Sequence, residues 1–152
     1  MDLMLVKLLP DQVPKFWNVI SYAIDNSVPP ISISGQEQLN NILKSILAGR
    51  SQAWLEVDKE AKPPDLTGVI ITTFMYDEVS EVKNLLIYAL FGLKFIKPEV
   101  WSEGLRMLKG FAKQTGCHRI VAYTNVPRIV EIVKSLGGQA EFTFVTMEVP
   151  RE

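Results

Sequence analysis

The feature that most constrains the fold is the stretch from residue 98 to residue 138, which reads as helix, strand and helix in close succession. Apolar side chains recur at helical spacing over residues 101–112, and Gly116 follows where a helix end favours a left-handed residue. Residues 119–124 are apolar and β-branched, which is typical of a buried strand. Asn125 can cap the second helix. This order predicts a crossover that packs against a sheet.

The remaining segments predict the rest of a single α/β (α+β) domain spanning residues 1–152. Residues 84–91 (NLLIYALF) are apolar without alternation, which indicates a central strand buried on both faces. A capping box of Ser34 and Glu37 predicts a helix start. The predicted fold is a mixed, mostly antiparallel sheet with helices on both faces. Further strands are predicted at residues 3–9, 52–57, 66–76 and 139–149, the last at an edge, and a further helix at residues 11–26, capped by Asp11.

Composition excludes several classes of function. The formal net charge of −1 over 152 residues argues against a general nucleic-acid binder, which usually has a basic excess. No apolar run reaches the roughly 20 residues of a membrane span. One cysteine and one histidine form neither an internal disulfide nor a tetrahedral Cys/His zinc site. We therefore expect a cytoplasmic protein without a metal, and without a membrane or nucleic-acid partner.

The order of elements resembles the GNAT superfamily of acyl-CoA-dependent N-acyltransferases. The resemblance in sequence is concentrated in AKQTGCHRIVAYTNVPRIVEIVKSLGG, where a helix ends in glycine and a short strand leads to an asparagine and a second helix ending in Leu-Gly. The resemblance implies a strand at residues 84–91 that diverges from the strand at residues 119–124, near Phe91 and Tyr123.

The resemblance also implies a phosphate-binding loop before the crossover helix, and this chain departs from its pattern. The family's loop, of the form Arg/Gln-x-x-Gly-x-Gly/Ala, should fall at residues 96–101 (IKPEVW), which contain no glycine. Pro98 removes a backbone N–H donor, and Glu99 places a negative charge beside the expected pyrophosphate. We therefore expect no cofactor, although acyl-CoA remains the cofactor if the chain is an enzyme. The candidate cofactor-binding residues are then Phe91, Gly92, Lys94, Lys97 and Asn125.

The family's catalytic pattern is also incomplete. Many members place a tyrosine acid four residues before the closing glycine of the last helix, and the matching residue here is Val133. Tyr88 and Tyr123 are the remaining candidates, because they lie on strands that the resemblance makes neighbours. Cys117 and His118 could suggest a nucleophile and its base. Because adjacent residues of a strand point to opposite faces, we expect that their side chains do not meet.

Two hypotheses follow for the function. The first is a GNAT-like domain with a degenerate acyl-CoA site that serves in binding or structure; the alternative is a divergent acyl-CoA-dependent N-acetyltransferase. The pattern is also similar to small uncharacterised proteins encoded among the head genes of tailed phages and prophages, through the Trp54 strand, NLLIYAL and GCHRIVAYTN. That likeness implies an accessory or virion-associated role. Basic residues outnumber acidic ones in residues 94–119, whereas residues 56–81 are mainly acidic. Two surfaces of opposite charge raise the alternative of a protein partner or a homo-oligomer.

Overall fold

One five-stranded sheet forms the centre of the protein. A computed structural model describes residues 3–63, 65–92 and 98–151, with the side chains of all these residues except 98–100. The strands follow chain order across the sheet, antiparallel as far as the fourth and parallel between the fourth and fifth. They are β1 (Leu3–Lys7), β2 (Ser51–Asp58), β3 (Asp65–Asp77), β4 (Val82–Gly92) and β5 (Ile120–Ala122).

Helices of the described chain pack on both faces of the sheet. A 3₁₀ turn (Pro10–Phe16) leads into α1 (Trp17–Asp25), and α2 (Gln36–Leu47) follows before β2. The crossover helix α3 (Pro98–Gln114) joins β4 to β5, and α4 (Pro127–Ser135) comes after β5. The prediction of a mixed, mostly antiparallel sheet with helices on both faces is therefore confirmed. In the part of the chain that is described, no helix is both long and apolar enough to cross a membrane.

Two hydrophobic cores lie on opposite faces of the sheet. The core under α1 and α2 contains Ile20 and Ile71, both almost fully buried. The core under α3 contains Trp54 and Leu108, with Phe111 packed against it. Because successive side chains of a strand point to opposite faces, β2 and β3 supply both cores alternately. The predicted inward face of α3, which includes Leu108, is confirmed.

Buried polar groups on the α3 face satisfy each other across β2 and β3. The indole Nε1 of Trp54 donates to Thr72 Oγ1 at 2.9 Å, and that hydroxyl donates to Gln52 Oε1 at 2.7 Å. All three residues are buried, so each lost bond would leave a desolvated polar atom. The chain of bonds thus fixes the register of β2 against β3 on this face.

The predicted helix caps are wrong by one or more residues. The residue preceding α2 is Gly35 rather than Ser34, and its φ of 147° is one that glycine adopts without a steric penalty. Val126, not Asn125, precedes α4, because Pro127 holds it in an extended conformation. The helix predicted from Asp11 begins as a 3₁₀ turn because Pro14 has no N–H for an α-helical bond.

The end of α3 follows the prediction closely. Gly116 has a φ of 76°, and the backbone N–H of Cys117 donates to the carbonyl of Ala112 at 2.8 Å. These are the marks of a Schellman motif, in which a left-handed glycine lets the chain satisfy the last helical carbonyls. The motif turns the chain directly into β5.

The predicted C-terminal edge strand is wrong. Residues 138–151 have no regular secondary structure, although their side chains favour strands. Phe142 is 94% exposed, whereas Phe144 packs against Tyr123 with 4.8 Å between ring centroids. A segment that favours strand conformation forms a strand only where a neighbouring strand provides hydrogen-bond partners. Within the described residues this segment pairs with no other strand.

We predict that Leu108→Ala lowers the free energy of unfolding by about 2–5 kcal/mol, because it leaves a cavity between α3 and the sheet. Met107→Ala is the matched control, since Met107 is adjacent on the same helix and 42% exposed. Urea denaturation of both variants measures the difference. Equal midpoints for Leu108→Ala and the unmodified protein would contradict the placement of this core.

Candidate functional site

A β-bulge in the middle of β4 sets the geometry of the candidate site. Thr72 of β3 pairs with Ile87, and Ile71 pairs with Ala89, so Tyr88 is one extra residue in β4. Tyr88 and Ala89 consequently both pack against the core under α1 and α2, although they are consecutive. Bulges re-aim side chains in this way and are frequent beside active sites.

The bulge coincides with the point where β4 and β5 separate. The parallel ladder joins Leu85–Ile87 to Ile120–Ala122 and ends there. The next two residues are Tyr88 and Tyr123, while β4 continues to Gly92. The predicted interior strand and its divergence from β5 are confirmed, with separation beginning at Tyr88, three residues before Phe91. The divergence leaves one edge of β4 without a neighbouring strand over this stretch of the described chain.

Tyr88 lines a small pocket beneath α1 and α2. The pocket has a volume of about 10 Å³ and is also lined by the polar residues Asp25, Ser34 and Gln38. That volume accommodates about one water molecule. Apolar side chains of α1, α2 and the segment between them complete the lining, so Tyr88 lies in a mixed polar and apolar environment, in a space that in this conformation is too small for an organic substrate.

The other predicted site residues are dispersed around the end of the sheet. Phe91 packs edge-on against Tyr22, with 5.5 Å between ring centroids, and Gly92 ends β4. Tyr123 is half-buried against Phe144, and Asn125 is exposed. Lys94 and Lys97 lie outside the described residues.

Cys117 and His118 do not form a nucleophile and base pair. The sulfur of Cys117 lies 3.6 Å from Thr115 Oγ1, and the side chain of His118 is exposed. The backbone N–H of His118 donates to the carbonyl of Lys83 at 2.8 Å, which attaches this turn to β4. Within the described part of the chain, no cluster of three or more His, Cys, Asp or Glu side chains could hold a metal ion.

Glu56 is a buried acid that the sequence reasoning did not identify as a site residue. It is 7% exposed and lies on β2, facing a cavity of about 60 Å³ between α3 and the sheet. Thr67 Oγ1 lies 3.1 Å from Glu56 Oε1 and donates to it. Burial raises the pKa of this carboxyl, and the Thr67 bond partly offsets the rise. The sequence shows that Gln52, Trp54 and Glu56 share one face of β2. That this face is buried follows only from the position of α3 over the sheet.

The cavity beside Glu56 is otherwise apolar. Trp101, Leu105 and Leu108 line it from α3, and Ile70, Ile87 and Leu90 line it from the sheet. Trp101, in the first turn of α3, thus contributes its side chain to the space beneath the helix start. A single carboxyl in such surroundings is held more easily in its neutral form than in its charged form.

The fold is similar to solved acetyltransferase structures over nearly the whole of both chains. An aminoglycoside acetyltransferase from an uncultured soil metagenomic sample matches with a TM-score of 0.70 at 13% identity, covering 99% of this chain and 100% of that one. Glucosamine-6-phosphate N-acetyltransferase from Arabidopsis thaliana gives 0.65 at 10%, with coverage of 99% and 100%. A GNAT family acetyltransferase from Staphylococcus aureus gives 0.64 at 14%, with coverage of 98% and 100%. The chain therefore has the GNAT fold. No protein-family model and no curated protein matches the sequence.

We predict that Glu56→Gln becomes progressively more stable than the unmodified protein as the pH rises. A raised pKa in the folded state means that folding favours protonated Glu56, so this contribution is complete below about pH 4 and is lost as the pH rises through the folded pKa. Glutamine stays neutral throughout. Urea midpoints of both proteins from pH 4 to pH 8 measure the divergence.

Glu103→Gln is the control for this experiment, and its difference from the unmodified protein should stay nearly constant from pH 5 to pH 8 and shrink only below about pH 4.5. Arg106 donates to the Glu103 carboxylate and holds its pKa below the usual value, so ionised Glu103 favours the folded state. A difference between Glu56→Gln and the unmodified protein that is constant across the pH range would contradict the assignment of a raised pKa.

Proposed function

We propose that this protein is a GNAT-fold binding protein whose acyl-CoA site is degenerate. The observation that supports this most directly is the position of Trp101, whose side chain lines the cavity beneath the first turn of α3. A phosphate site at a helix start needs free backbone N–H groups and small residues that allow close approach. Here α3 begins at Pro98, which has no N–H, and Glu99 adds a negative charge to the same turn.

The open edge of β4 supports a binding role. From Tyr88 to Gly92 the strand continues beyond its ladder with β5, so on that side it pairs with no strand of the described chain. An extended chain with amide groups can pair with such an edge, as peptides do when they add a strand to a sheet. An accessory or virion-associated role, which the phage resemblance implies, stays a prediction.

The alternative function is N-acetyl transfer, and the Tyr88 bulge is the observation that favours it. The bulge turns Tyr88 toward α1 and α2, where it lines a pocket that Asp25, Ser34 and Gln38 also line, and an acceptor could be held there once the pocket widens. The acyl-CoA would supply the activated acyl group. Tyr88 and Tyr123 would then be the proton donors, and Phe91, Gly92, Lys94, Lys97 and Asn125 would contact the cofactor.

A transfer assay distinguishes the two functions. Two of the structurally similar proteins are an aminoglycoside acetyltransferase and a glucosamine-6-phosphate N-acetyltransferase, so an aminoglycoside and glucosamine 6-phosphate are suitable first acceptors with acetyl-CoA. If the unmodified protein transfers the acetyl group and Tyr88→Phe transfers it more slowly, the N-acetyltransferase function is favoured. Tyr76→Phe is the matched control, because Tyr76 is 52% exposed near the end of β3, away from the bulge.

We predict that acetyl-CoA binds with a dissociation constant on the order of 1 mM or weaker, which corresponds to about −4 kcal/mol. Glu99→Gly with Trp101→Gly should tighten binding, because it removes a negative charge and an indole from the start of α3. The two glycines also weaken the helix by roughly 1 kcal/mol each. Isothermal calorimetry measures both affinities.

Glu103→Gly is the control for the calorimetry, since it removes the same charge one helical turn later, at an exposed position. Equal affinity of this control and the unmodified protein is expected. A micromolar dissociation constant for the unmodified protein would overturn the proposed degeneracy, and the acetyltransferase would become the leading function.

A further inference from the structure

The carboxyl of Glu56 has fewer hydrogen-bond donors around it than a buried acid needs. Glu56 is 7% exposed, and an ionised carboxylate offers about four lone-pair sites. The hydroxyl of Thr67 lies 3.1 Å from Glu56 Oε1 and also 3.1 Å from the backbone carbonyl of Glu56. Because a hydroxyl has one proton, these two acceptors share a single donor. Among the described residues, no side chain or backbone group donates to the other carboxyl oxygen, Oε2.

A second β-bulge, between β2 and β3, holds this acid in position. Glu56 pairs with Gly68 and Val57 pairs with Leu66, so Thr67 is one extra residue in β3. Bulges re-aim side chains in this way. Thr67 is 4% exposed and makes its hydrogen bonds to Glu56. The position of Glu56 at the cavity is therefore fixed by the pairing of the two strands.

Two glycines provide the space in front of the acid. Gly68 lies directly across the ladder from Glu56, where any other residue would place a side chain on the same face. Gly104 lines the same cavity from α3, and a Cβ built on it would meet no atom within 4 Å. The cavity of about 60 Å³ is partly open to solvent. Since a water molecule occupies roughly 30 Å³ in the liquid, a guest of about three non-hydrogen atoms can enter.

The lining selects the charge of the guest. Over the part of the cavity wall that the structure describes, Glu56 is the one charged side chain, and most of the others are apolar. An anion would be repelled there, and a hydrocarbon would leave the carboxyl without a partner. An ammonium group supplies the opposite charge and three N–H donors. A short alkyl chain attached to it can cover the apolar lining.

We propose that this cavity binds a primary ammonium ion with a short alkyl chain, its nitrogen against Glu56 and its carbons against the apolar side chains of α3 and the sheet. The site lies on the face of the sheet opposite the Tyr88 pocket. The proposal goes beyond the proposed function and stands whether or not acyl-CoA binds, so its failure leaves the calorimetry and the transfer assay unaffected.

An amide NMR titration of the full chain with ethylammonium chloride, in slightly alkaline buffer at constant ionic strength, tests the proposal. We expect saturable shifts at the amides of Glu56, Gly68 and Gly104. The dissociation constant should be on the order of 1 mM, which is close to the limit for a ligand of about three non-hydrogen atoms. Ethanol, a neutral molecule of the same size, should bind at least about tenfold more weakly to the unmodified protein, because it brings no positive charge.

Two pairs of variants locate the site. Glu56→Gln keeps the shape and removes the charge, and Gly104→Leu fills the cavity from α3; each should weaken ethylammonium binding at least about tenfold. Their controls are Glu103→Gln, an exposed acid on α3, and Gly110→Leu, on the same helix and away from the cavity lining. Both controls should bind as the unmodified protein does.

Three results would each overturn the proposal. The first is the lack of saturable shifts with ethylammonium, or shifts confined to residues away from the cavity. The second is ethanol binding as tight as ethylammonium binding, which would show an apolar cavity that does not select a cation. This comparison uses the unmodified protein and so does not depend on a variant folding. The third is unchanged affinity in folded Glu56→Gln.

Discussion

The pairing of β2 with β3 is the interaction on which the rest of the structure depends. Both strands lie inside the sheet, and their alternating side chains form the core under α1 and α2 on one face and the core under α3 on the other. The register of the pair therefore decides which residues meet which helix, since a slip of one residue would exchange the two faces. The bonds from Trp54 to Thr72 and from Thr72 to Gln52 hold that register at a point where no water is available to replace them.

The bulge at Tyr88 interrupts this regular pattern at the point where the β4–β5 ladder ends. Before the bulge, β4 is paired on both edges; after it, β4 keeps β3 and loses β5. The same extra residue points Tyr88 toward α1 and α2. A change in backbone register thus produces both an open strand edge and a redirected phenol, and these two features are shared by the binding and catalytic hypotheses.

The two faces of the sheet differ in chemistry near this opening. On the α1 and α2 face, Tyr88 lines a pocket of about 10 Å³ that contains both apolar and polar side chains, Asp25 among them. On the α3 face, Glu56 lies in a cavity of about 60 Å³ whose lining is otherwise apolar. Trp101 closes part of that cavity from the first turn of α3. The cavity at the start of α3 is therefore filled in part by an indole, on the face opposite the Tyr88 pocket.

The sequence by itself determined the five strands of the sheet, the existence of the helices and the crossover, because each rests on local periodicity or on a residue with special backbone properties. Residues 84–91 could be assigned to an interior strand from their continuous apolar character, and Gly116 marked the end of α3 through its left-handed conformation. The helix starts were less predictable. Gly35 precedes α2 and Val126, held extended by Pro127, precedes α4, so each helix begins one residue later than the expected cap implied.

Only the tertiary structure decided the features that depend on partners distant in sequence. The position of the bulge at Tyr88 follows from the pairing of β4 with β3, and the burial of Glu56 requires α3 to lie over β2. Residues 139–149 show the same dependence most clearly: their side chains favour a strand, yet a strand needs a neighbour to supply hydrogen bonds. Whether that neighbour exists is a property of the assembled surface and not of the segment.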